Sequence, residues 1–343
     1  MEKLSEEIKK LRIRFISDLN LPIQVIHSPY FENMLDLLED EYKAKTKYND
    51  LLDFINNGPF NGNINKFIED FHYVRNQAIT SIENNESYQF FNTVREFKEE
   101  TEIRLSIYDN YLPLKVEKKE VYNIPDNDGY EFISIDLKHA NYTALHAFNL
   151  NIVNGTNSYE EFIEGFCTEN SYKEYIKNSK YTRQVIFGKL NPKRTITVEN
   201  YMIMQIYNAL CECTNINQIA DLYTVKSDEI VFKLKNNNYN LEGINYGDCC
   251  IIDSNYPIHV TRYRLKHYQF AFETSDAKLN IYEQHRMDKD GNVYQKKLKC
   301  VPSTYMPQVY KLIHNQSITE DDLVFYYEHQ LVKFMHPIKL IKK

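Results

Sequence analysis

The stretch Val225-Lys226-Ser227-Asp228-Glu229-Ile230-Val231-Phe232 decides how this chain is read. A short charged break stands between a largely apolar run, Ile219 to Val225, and a second, Ile230 to Leu234. β-Favouring residues on both sides of a tight polar turn predict a hairpin. Such a hairpin offers Asp228 and Glu229 at its tip, a natural place to hold a metal ion. A partner acid is found 92 positions earlier, in Tyr130-Glu131-Phe132-Ile133-Ser134-Ile135-Asp136. This reads as an apolar strand ending in an acid, and Leu137 to His146 then starts a helix. An acid at the end of a buried strand is costly unless it meets a cation, a metal or hydrogen-bond donors. Two readings of Asp136 follow: an N-cap for the helix behind it, or a metal ligand.

Between the two acids lies a basic run. Lys180, Arg183, Lys189, Lys193 and Arg194 fall within 15 residues with no acid among them. Two capping-box patterns, Ser158-x-x-Glu161 and Ser171-x-x-Glu174, predict a short helix near 159–166 and a longer one from about 172. On that second helix Lys180, Arg183 and Phe187 share one face at spacings of three and four. Two cations and an aromatic ring suit a triphosphate and a base; a solvated basic face is the plain alternative. Gly188 and Pro192 mark the exit, and Thr197 to Cys213 forms a further helix whose Tyr201, Met204, Ile206, Tyr207 and Leu210 belong to the core.

Upstream, residues 1–118 read as a helical N-terminal domain, with helical spacing in Glu2–Phe15, Phe31–Tyr42, Leu51–Ile55, Ile64–Ile82 and Tyr88–Ile107. The charges of Arg95 to Arg104 read as a solvated face. Pro113 to Gly129 is a boundary, closed by the loop signal Pro125-Asp126-Asn127-Asp128-Gly129. Residues 119–240 then form a catalytic core. Residues 241–343 form a β-rich C-terminal region, with strands expected at 250–252, 258–264, 268–272 and 279–284 and a turn at Asp288–Asn292. Two helices, Thr304–His314 and Glu320–Phe334, close it, the second capped by Thr319. The fold class is α+β.

The composition sets bounds. With 343 residues, 43% hydrophobic and 26% charged, the chain has material for a sizeable core. No apolar run approaches the roughly 20 residues that span a bilayer, and the charged start lacks a signal h-region. The expectation is an intracellular protein that engages no membrane. Six cysteines without a C-x-x-C pair read as buried thiols rather than a zinc site. A net charge of −7 argues against nucleic-acid binding by the whole surface, leaving a local basic patch to do it. The bias to Lys, Asn, Ile and Tyr, with no Trp, suggests an AT-rich genome such as that of a virus or phage.

Taken in order, the strand-acid-helix at Asp136, the basic helix at Arg183 and the Asp-Glu hairpin at Asp228 resemble motifs A, B and C of a DNA-polymerase palm and fingers. Family A matches best. Its motif C, H-D-E-[LI]-V-F-E, is laid on Ser227-Asp228-Glu229-Ile230-Val231-Phe232-Lys233. Motif B, K-x-x-N-F-G-x-x-Y-G, is laid on Arg183 to Pro192. Motif A, D-Y-S-Q-I-E, is laid on Asp136-Leu137-Lys138-His139-Ala140-Asn141. The family B form of motif B also fits Lys180, Gln184, Phe187 and Gly188. The resemblance covers residues 132–234.

It implies that Asp136 and Asp228 hold two Mg²⁺ (or Mn²⁺) ions, with Glu229 as an auxiliary acid. Arg183 and Lys180 would contact the incoming triphosphate, and Phe187 would stack on base or sugar. Asn141 takes the place of the family's sugar-gating glutamate. Lys189, Lys193 and Arg194 would contact nucleic acid. The implied partners are a primer-template and nucleoside triphosphates, and the implied reaction is nucleotidyl transfer to a primer 3′-hydroxyl. The departures are Asn191 for tyrosine, Pro192 for glycine and Lys233 for glutamate. They leave open a degenerate palm that binds nucleic acid or a replication partner without catalysis. A third reading makes the motif matches chance, with Asp136 a helix cap and Asp228-Glu229 a turn.

Overall fold

A computed structural model describes residues 4–93, 119–122, 124–237, 239–250, 256–327 and 330–343. The architecture is α+β, with an antiparallel eight-stranded sheet backed by helices. In chain order the first helices are α1 (Glu6–Leu19), α2 (Tyr30–Leu37), α3 (Glu39–Tyr42), α4 (Ala44–Asn57), α5 (Ile64–Glu83) and α6 (Glu86–Thr93). Strand β1 (Glu131–Leu137) precedes α7 (Ala140–Phe148), α8 (Tyr159–Glu164), α9 (Lys173–Asn178), α10 (Lys180–Gly188), α11 (Pro192–Cys213) and α12 (Ile216–Ile219). Then come β2 (Ala220–Val225), β3 (Glu229–Leu234), β4 (Gly247–Cys250), β5 (Pro257–Ala271), β6 (Lys278–Met287) and β7 (Val293–Lys299). Helix α13 (Met306–Ile313) and strands β8 (Val324–Tyr327), β9 (Gln330–Lys333) and β10 (Lys339–Lys342) end the chain.

The sheet runs β2-β3-β1-β5-β6-β7, with β4 and β10 also paired to β5. Period-two alternation sorts its two faces. Ile133, Ile135 and Leu137 of β1 stand level with Ile230, Phe232, Ile258 and Val260 and join the main core. Helices α7 and α11 cover that face with Leu145, Met202, Ile206 and Leu210, all buried. The opposite face carries Phe132, Ser134 and Asp136 of β1, with a smaller apolar cluster of Val121, Phe132, Val231, Tyr263 and Leu265. Strands β5 to β7 extend the same sheet beyond residue 240.

The N-terminal helices share the main core through Leu11, Phe15, Phe31, Phe67 and Phe71. One polar tie connects them to the basic helix. The fully buried Asp18 of α1 accepts hydrogen bonds from Ser179 Oγ (2.7 Å) and Tyr175 Oη (2.9 Å), and Arg14 Nε lies 3.1 Å away. Burial pushes the Asp18 carboxyl up despite Arg14. A buried acid held by two hydroxyl donors and an arginine ion pair fixes geometry more than it adds stability. Here it fixes the N-terminus of α10, because Ser179 Oγ also accepts from Thr182 N at 3.0 Å as the helix cap.

Several sequence expectations are corrected. The single helix from 172 is two, α9 and α10, broken at Ser179, whose extended backbone starts the second. Ser171 does not cap α9; its hydroxyl accepts from Thr168 N. The strands expected at 258–264 and 268–272 are one, β5. The closing helix 320–334 is replaced by a 3-10 turn, Glu320–Leu323, and the β8–β9 hairpin. Thr319 does cap the turn as expected, in a capping box with Asp322. Val324-Phe-Tyr-Tyr then favours strand over helix. The Tyr88–Ile107 helix is seen as α6 to Thr93, and its remainder, like the Arg95–Arg104 charges, lies outside the described residues.

Candidate active site

The hairpin forms as read. Lys226 N donates to Glu229 O at 2.8 Å, which leaves Ser227 and Asp228 as a two-residue turn between β2 and β3. β3 then runs antiparallel to β1, with Asp136 directly opposite Glu229. Leu137 N donates to Asp228 O at 2.8 Å, so the backbone itself fastens the hairpin tip to the end of the first strand. The two acids 92 positions apart thus meet at adjoining strand ends. Asp136 is no helix cap: the capping position of α7 is His139, in the left-handed region at φ 50°.

The three acids of this corner differ. Glu229 is held by Ser134 Oγ at 2.6 Å and Lys226 Nζ at 2.9 Å. Neither Asp136 nor Asp228 receives a side-chain hydrogen bond or ion pair from a described residue. Asp136 is open to solvent on one side and enclosed by protein on the others. Its carboxyl is pushed up to about 7, first by burial, then by Asp228 and Glu229, against the pull of Lys226 and Lys180. A cation bound beside Asp136 would relieve the repulsion it feels from its two acidic neighbours.

Sequence reasoning missed Glu199. It lies on α11, 4% exposed, with no hydrogen bond or ion pair from a described residue. Burial and then Asp228 push its carboxyl up to about 7. Its signal was present: Val198, Glu199, Met202, Ile203 and Ile206 share the buried stripe of α11, and an acid in an apolar stripe demands a reason.

The basic run divides. Lys180 is exposed at the first turn of α10 and close enough to Asp136 to pull its carboxyl down. The Arg183 guanidinium lies 5.4 Å from the Tyr159 ring centroid. Beside it, His139 Nε2 lies 2.9 Å from Glu160 Oε1. Lys189 and Lys193 are exposed, as is Asn141 at the start of α7. One expected role is corrected. Phe187 is 3% exposed and packs against Tyr159 at 6.2 Å, so its ring is already covered and has no face for a base. Arg194 Nη1 donates to Phe91 O at 2.8 Å and so ties α11 to α6.

No family model, no curated protein and no solved structure matches the chain. The site therefore rests on its own geometry. Among the described residues no three His, Cys, Asp or Glu side chains come together as a ready-made metal cage. Two carboxylates without a cage suit Mg²⁺, which takes one or two carboxylates and completes its shell with water and substrate phosphates. The described residues hold no helix long and apolar enough to cross a membrane.

Proposed function

We propose that the chain is a compact nucleic-acid polymerase that adds nucleotides to a primer 3′-hydroxyl. One observation carries the reading. Asp136 and Asp228 are joined at adjoining strand ends, and neither carboxylate receives a hydrogen bond from a described residue. In this reading Asp136 and Asp228 hold Mg²⁺ or Mn²⁺. The bound cations would lower the pKa of the primer hydroxyl and steady the pyrophosphate leaving group. Glu229, fixed by Ser134 and Lys226, holds the negative field of the corner without being a ligand. Lys180 stands close enough for its charge to reach Asp136, where a cation would neutralise triphosphate oxygens, and Arg183 lies behind it on the same helix. Little covalent chemistry is asked of the protein; the catalytic task is placing charge around a transition state with spread negative charge.

The alternative, a palm-like protein that binds nucleic acid without catalysis, has one observation in its favour: the buried Phe187 presents no stacking ring. Metal-dependent incorporation of a labelled nucleotide into a primer separates the two readings. Incorporation is expected with Mg²⁺ or Mn²⁺ and lost in Asp228→Asn with the fold intact. Wild-type turnover in that variant removes the site assignment.

A further inference from the structure

The face of the sheet that carries Asp136 and Glu229 continues across β5 to β6 and β7. Strand register sets Tyr263 opposite Arg286, Leu265 opposite Gln284, Gln284 opposite Lys297 and Arg286 opposite Gln295. Directly opposed residues share a face, so Arg286, Lys297 and Lys299 stand on the same side of the sheet as the carboxylate corner. All three are half-buried.

Their surroundings are neutral or aromatic. Arg286 donates from Nε to Gln284 Oε1 and from Nη1 to Gln295 Oε1, each at 3.3 Å. Lys297 Nζ lies 5.9 Å from the Tyr42 ring, and Lys299 Nζ 5.9 Å from the Tyr122 ring. None of the three forms an ion pair with a described acid. Glu41 and, for Lys299, Glu229 are the acids whose charge reaches them. Burial and mutual repulsion depress both lysines, Lys297 to about 8. Holding three cations together, part-buried and without an ion pair, costs stability unless an anion joins them.

The shape of the cluster selects the anion. Lys297 and Lys299 are two residues apart on one strand, about 7 Å by the rise of a β-strand, and Arg286 flanks them from β6. A line of charge suits a linear polyanion, whereas a triphosphate tail asks for cations converging on one point. The charge of Lys299 is also felt with those of Glu229 and Lys180, so the cluster and the carboxylate corner share one electrostatic field.

We propose that Arg286, Lys297 and Lys299 form a cradle for the phosphodiester backbone of the nucleic-acid strand whose end reaches Asp136 and Asp228. The cradle deepens the polymerase reading and rests on it for its direction, but strand binding is measured without catalysis. The experiment is fluorescence anisotropy of a labelled single-stranded oligonucleotide and of a primer-template duplex, with EDTA present, over a range of salt. The proteins are wild type, Lys297→Gln/Lys299→Gln and Lys297→Arg/Lys299→Arg, each checked for fold by circular dichroism.

The glutamine pair is expected to bind at least about tenfold more weakly at about 0.1 M salt. Its salt slope should be shallower by about 1.4 to 1.8, the share of two phosphate contacts. The arginine pair retains binding. Equal affinity and slope in wild type and the glutamine pair overturns the cradle. So does an unchanged oligonucleotide affinity accompanied by a raised KM for nucleoside triphosphate, which moves the cluster to the triphosphate. If the glutamine pair is misfolded, the comparison passes to Arg286→Gln, with the same criteria. Strand binding that depends on the lysines in a protein that extends no primer keeps the cradle and removes the polymerase reading.

Discussion

Replacing Glu199 with glutamine tests whether a buried acid faces Asp228. Glu199 is 4% exposed, and its carboxyl is pushed from 4.5 to about 7, first by burial and then by Asp228. At about 1.4 kcal/mol per pH unit, that gap is worth about 3 kcal/mol. The sign follows from proton counting. Between pH 4.5 and about 7 the folded chain keeps a proton on Glu199 that the unfolded chain has released. The native state binds more protons there, so stability falls as pH rises through the window. The contribution is fully present below the unfolded value and lost once pH has passed about 7. Glutamine cannot ionise and escapes this loss. We predict that Glu199→Gln gains about 3 kcal/mol on the wild type between about pH 4.5 and about pH 8. Urea unfolding at both pH values, in the absence of metal, reads the difference. Asp136 titrates in both proteins and largely cancels. A stability gap that does not change with pH refutes the placement of Glu199 as a buried acid beside Asp228.

Two further outcomes are expected. Below about pH 7 the Asp136 carboxyl keeps a proton that a divalent cation must displace. Affinity for Mn²⁺ should therefore drop by up to about tenfold for each pH unit below that point, and equal affinity by calorimetry at about pH 6 and about pH 8 contradicts this. Asn141, exposed at the start of α7 where the resembled family has a glutamate, should leave the sugar ungated, so that competing ribo- and deoxyribonucleotides are incorporated with similar efficiency. A deoxynucleotide preference of roughly 1000-fold would remove that role.

The hairpin at Asp228 and the strand at Asp136 were legible because their signals are local. Alternating β-favouring residues and a two-residue polar turn fix both elements without help from the rest of the chain. Their meeting was an inference from motif order; what brings them together is the β1–β3 register, which no local pattern encodes. The class α+β and the core residues of α11 followed from periodicity. Failures arose where tertiary contacts overrode a local signal. Ser179 breaks a helical run because Asp18, 161 residues away, needs its hydroxyl. Phe187 looked like a presented ring from its helical face, but that face is the one that packs on Tyr159. The 320–334 segment kept its cap and lost its helix, since a capping box reports only the first turn. Glu199 is hidden from such signals because periodicity assigns its apolar stripe to the core and is silent about the acid within it.

The most direct test of the account is primer extension on a DNA and on an RNA template, with Mg²⁺ or Mn²⁺ and each nucleotide pool. Wild type is compared with the Asp136→Ala/Asp228→Ala double variant. The account predicts metal-dependent extension on at least one template, absent from the double variant while its fold persists. Well-folded wild type that extends nothing under any pairing, or a double variant that extends as well as wild type, contradicts it.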